Sequence, residues 1–137
     1  MPTATRLDPL LRIRERTEQT AQQALAESIR GLQGAAANVE VRKQAANVDL
    51  RTASSANEWL LAEEVHLRAL SDLKKAEAAL ELARGKQDQS RAAAAAAQQS
   101  AEVVRRAAER KRAEQRVVEG RAERKQLDSI ALLLRAS

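Results

Sequence analysis

Acidic pairs and a basic run are the features of this chain that invite a chemical reading. Glu63 beside Glu64, and Glu77 four residues before Glu81, have the spacing at which two carboxylates divide general acid and base work. On the outer face of a helix, however, neighbouring like charges are cheap, and acid–base chemistry needs a cleft that dries one of them. The chain has one histidine, His66, and no cysteine, so it lacks the ligands for a zinc triad, a thiolate site or a disulfide. Neither a glycine-rich phosphate loop nor a Ser/His/Asp set is present. No catalytic residue, cofactor or metal is expected, and the chain reads as non-enzymatic.

The basic run is more informative. Positions 104–125 hold nine Arg or Lys against four Glu, and the other residues balance, so the formal net charge of +5 resides there. Such a helix can follow a nucleic-acid backbone. Against that use, Glu109, Glu114, Glu119 and Glu123 are interleaved with the bases and no aromatic side chain is available for stacking. A helix that faces protein is the favoured reading. A nucleic-acid-associated basic coiled coil and a self-associating scaffold are the alternatives.

The elements that must carry these residues follow from composition. Of 137 residues 30 are Ala, only 28 are Leu, Ile or Val, and one is aromatic. Apolar mass of that kind cannot fill a thick core. Glycine and proline are scarce, both prolines fall within the first nine residues, and strong helix formers dominate. The fold class expected is all-α: one domain over 1–137, a long antiparallel two-helix coiled-coil hairpin whose C-terminal helix overhangs. Helix one should cover about 8–52, with Asp8 as N-cap and Pro9 in the first helical position. Its seam reads Leu25, Ile29, Leu32, Ala36, Val39, Lys43, Ala46, Leu50 and Ala53, alternating four and three.

A polar break places the turn at about 53–57, with Ser55 or Asn57 capping a second helix over about 58–135. The second seam reads Trp59, Ala62, His66, Ala69, Leu73, Ala76, Leu80, Ala83 and Gln87, and a last stripe runs Val117, Gly120, Leu127, Ala131, Leu134. At 1.5 Å per residue the helices measure about 68 and 120 Å, so the second must outrun the first. With the turn near residue 55, Asp8 should meet the Glu102 region and the overhang should begin near residue 104. Ala92–Ala97 gives high helix propensity with little knob volume, which suits either a readily repacked stretch or a smooth surface inside a ring.

Val41 and Val48 point away from the first seam, and Leu60 and Leu67 lie off the second. Scattered valines are ordinary on a surface, yet repetition at i,i+7 on both helices near the turn is also the pattern of a docking face. Trp59 either closes the hairpin tip or anchors a partner. There is no apolar run near 18 residues and no apolar signal core at the N-terminus, so the expectation is a cytoplasmic chain without direct membrane insertion.

The stretch Glu119-Gly-Arg121-Ala-Glu123-Arg-Lys125-Gln-Leu127-Asp128-Ser-Ile-Ala131 resembles the C-terminal signature of the flagellar FliJ family and its injectisome relatives of the YscO type. Glu123, Lys125, Leu127, Asp128 and Ala131 fall on that pattern, while Ser129 stands where an acidic residue is usual. The opening Leu7, Leu10, Ile13, Arg14, Glu15 is similar as well. The resemblance implies a stalk of a type III protein export apparatus in flagellum biogenesis. Such a stalk promotes and enters the export ATPase hexamer, couples it to the cytoplasmic part of the export-gate membrane protein, and escorts export chaperones. It would lie at the cytoplasmic face of the inner membrane, with no nucleic acid as partner. Arg110, Arg112, Arg116, Glu123, Lys125, Leu127 and Asp128 would then face the ATPase. Val41, Val48, Trp59, Leu60 and Leu67 would face the gate or a chaperone, although relatives often carry aromatics where this chain has Val41 and Val48.

Overall fold

A computed structural model describes residues 5–47 and 55–136. Among them are two helices, α1 over Asp8–Ala46 and α2 over Ala56–Ala136, packed against one another, with no strand. The all-α, two-helix arrangement expected of a coiled-coil hairpin is what the chain adopts.

Asp8 does not act as the expected N-cap. Its carboxylate reaches back instead, accepting from the Thr5 backbone N–H at 2.9 Å and the Thr5 hydroxyl at 3.0 Å, while its own N–H donates to the Thr5 carbonyl at 3.1 Å. Thr5 therefore occupies the cap position, with Asp8 three residues on closing the box from inside. That carbonyl is already served, so the N–H missing from Pro9 leaves nothing unsatisfied. Ser55 caps α2, its hydroxyl accepting from the Glu58 N–H at 3.1 Å, and Asn57 is already helical. Glu58 in the first turn of α2, and Lys43 and Arg135 in the last turns of α1 and α2, each complement the helix dipole.

Helix one ends at Ala46, earlier than expected, where the Asn47 N–H closes a tighter turn on the Gln44 carbonyl at 3.2 Å. The expected seam positions Leu50 and Ala53, and residues 53 and 54 of the expected turn, lie outside the described residues.

The chain divides into two units, Thr20–Ala94 and Met1–Gln19 with Ala95–Ser137. In the first, the α1 and α2 segments run antiparallel, with Arg42 level with Asp72 at 3.7 Å. Val39 and Ala76 are its most buried seam residues. On α1 the seam uses Ala35 where Ala36 was expected, and Lys43 is exposed. On α2 the expected positions from Ala62 to Gln87 all turn inward, but Trp59 is 44% exposed. The physical reason is register: packing of the apolar stripes places Arg42 against Asp72, and α1 ends only four residues later, so Trp59 lies past its last turn.

In the second unit Asp8 meets Arg112 at 2.8 Å, not the Glu102 region. Charge pairing fixes this register, because Arg105 also stands 3.7 Å from both Glu15 and Glu18. The seam of α2 here is alanine: Ala97 is nearly enclosed, and Ala101 and Ala108 are fully so. Methyl-sized knobs let two helices approach toward the short end of the usual 8–10 Å range.

Candidate interaction surfaces

The register changes how much of the basic run is free. Arg105 is held by Glu15, Glu18 and Glu102, the last at 2.7 Å, and Arg106 pairs with the same Glu102 at 3.1 Å. Arg112 is engaged by Asp8, so within its unit it fastens α2 to the start of α1. Asp8 titrates below the ordinary aspartate range, first because the Thr5 backbone N–H stabilises the anion, with the Thr5 hydroxyl and Arg112 adding to this against partial desolvation. The overhang therefore begins beyond Arg112 and not near residue 104. Arg110, Arg116, Glu123, Lys125, Leu127 and Asp128 are all exposed, and among the described residues none of them forms an ion pair.

Every residue from 121 to 136 is exposed. Ile130, Leu132, Leu133 and Leu134 lie bare on this segment in addition to Leu127, and sequence reasoning counted only Leu134 among those four. The signal was present as three consecutive leucines, which no single helix face can bury.

A second apolar surface occupies the start of α2. Trp59, Leu60 and Leu67 are exposed there, and Val41 is exposed on α1; Val48 lies outside the described residues. Leu61, Val65 and Leu70 are exposed on the same turns of α2 and were missed. They fall between the seam positions, where a leucine or valine buries nothing within the pair. His66 remains on the seam, half-buried, its Nδ1 without a hydrogen-bond partner. No cluster of three or more His, Asp or Glu able to hold a metal occurs among the described residues, and no described helix is long and apolar enough to cross a membrane.

The two exposed surfaces suit a chain that works by contact. The family described as Flagellar FliJ protein matches residues 3–136. The chain belongs to the FliJ family. Membership makes it a non-enzymatic, stalk-type component related to the type III export apparatus. No curated protein and no solved structure matches the chain.

Proposed function

We propose that this FliJ-family chain is the central stalk of a type III, flagellar-type export apparatus, working in the cytoplasm at the inner-membrane face. The free part of α2 beyond Arg112 enters the export ATPase ring and promotes its assembly, and the apolar surface around Trp59 meets the cytoplasmic part of the export gate or an export chaperone. The observation that carries this reading is the segment 121–136, exposed throughout on a helix continuous with the paired region. Its exposed leucines supply buried area on docking, and Arg116 and Lys125, with the exposed Arg110 just before the boundary at Arg112, supply attraction to an acidic or polar sleeve.

The test is titration of the chain into a cognate export ATPase while following ring assembly and ATP hydrolysis. Stimulation is expected, and it should be lost in the R110E/R116E/K125E chain, whose helicity stays intact because none of the three is paired. Arg112 is left alone because its reversal would also break the contact with Asp8. In the same chain, L60S and L67S should weaken capture of gate or chaperone without lowering the melting temperature. Binding of random duplex DNA at about 0.15 M salt, with log affinity falling steeply with log salt and no response from the ATPase, would favour a nucleic-acid partner instead.

A further inference from the structure

The unit Thr20–Ala94 has a groove between α1 and α2 that neither the tail nor the tip explains. Its volume is about 610 Å³, and it is lined by Ala24, Ser28, Gly31 and Ala35 from α1 and by Ala79 and Ala83 from α2. Gln89 and Ser90 add polar groups at one end, and of the two hydroxyls that line the groove that of Ser28 is spent, Oγ donating to the Leu25 carbonyl at 2.7 Å. Alanines and Gly31 make up its middle, so the hollow there suits an apolar knob. A Cβ added at Gly31 would meet nothing within 4 Å, so packing inside the chain gives no reason for glycine in the middle of a helix, where it costs stability relative to alanine.

Beside the hollow stands a knob. Leu82 lies on its rim with its side chain 70% exposed. Glu27 and Lys86 lie on opposite rims, and among the described residues neither forms an ion pair. Counting along the antiparallel pair from Arg42 level with Asp72 puts Gly31 level with Ala83, beside Leu82, and Glu27 beside Lys86.

We infer that this face binds a second copy of the same chain. Two copies placed face to face about a two-fold axis parallel to the helices set α1 of each against α2 of the other. Leu82 of each copy then enters the hollow at Gly31 of the other, and Lys86 of each meets Glu27 of the other. Knob and hole, and acid and base, occur together on one face at matching levels, which is what an isologous contact requires and what a foreign helix would not need. All four helices of the assembly become antiparallel to their neighbours, a four-helix bundle over the groove. The groove runs only from Ala24 to Ala35 on α1, so the contact is short and the association weak. This inference does not rest on the stalk reading.

Sedimentation velocity of the full chain tests it. Over about 10–500 μM, at about 0.15 M salt, the weight-average mass should rise from 15.0 kDa toward twice that value by mass action. Leu82→Arg should weaken association at least about tenfold by losing the buried knob, and because Leu82 is exposed in the single chain the variant keeps its helicity. Glu27→Lys and Lys86→Glu should each weaken it about threefold or more, and the two reversals together should restore it. A mass of 15.0 kDa at every concentration would overturn the inference. So would association indifferent to Leu82→Arg, or a double reversal no better than the single ones.

Discussion

Asp8 shows how much one carboxylate does at the start of this fold. It accepts two hydrogen bonds from Thr5 and one from Arg112, so it ends a helix and joins two of them at once. Its pKa is lowered in the folded chain, so the stability it contributes is present above the unfolded aspartate range and is lost as pH falls through the folded value. An NMR titration of the Asp8 side chain should place its midpoint below that of an unstructured aspartate. Asp8→Asn should abolish the acid-dependent loosening of the N-terminal end, seen as faster amide exchange around Leu11. A midpoint at or above the unstructured value would mean that the Thr5 and Arg112 contacts do not persist in solution. Thr5 was not legible as the cap, because Asp8-Pro9 is by itself an ordinary cap-and-first-residue pair and only the folded chain shows the carboxylate turned back.

Helices α1 and α2 were legible because alternating spacings of three and four survive through long stretches of α2, and the positions from Ala62 to Gln87 turn inward. Trp59 and, on the last stripe, Val117, Leu127, Ala131 and Leu134 are exposed because no part of α1 lies against them. The register was not. It depends on which stripe residues face each other and on pairs such as Arg105 with Glu15 and Glu18, whereas turn length, the quantity the sequence offers, leaves it free by several residues. A surface pair such as Arg105 with Glu15 is worth about 0.2–1 kcal/mol, and the half-buried Glu18 adds a second partner, enough to choose between registers of otherwise similar alanine packing. The alanine seam itself makes a sharp demand. Ala101 is fully enclosed, so Ala101→Leu should cost about 1–3 kcal/mol through overpacking, measured as a lower urea midpoint. An unchanged midpoint would show that α1 does not lie against this face.

At the scale of the molecule, the chain divides its labour along α2. The start of that helix carries apolar side chains past the end of α1, the middle is committed to the seam, and the segment beyond Arg112 carries exposed leucines among mixed charges. The exposed positions Leu60, Leu67 and Val41 were readable as residues off the stripes, and Leu132 and Leu133 as part of a run of leucines on an overhang; where that overhang begins was not, since only the position of Asp8 against Arg112 shows how far α1 reaches. The most direct test of the stalk reading is site-specific photocrosslinking in cells, with a photoreactive residue at Leu127 or at Leu60 in otherwise unchanged chains. The stalk reading predicts that Leu127 captures the export ATPase and Leu60 captures the gate protein or a chaperone. Capture of the ATPase from Leu60 with none from Leu127 would contradict it.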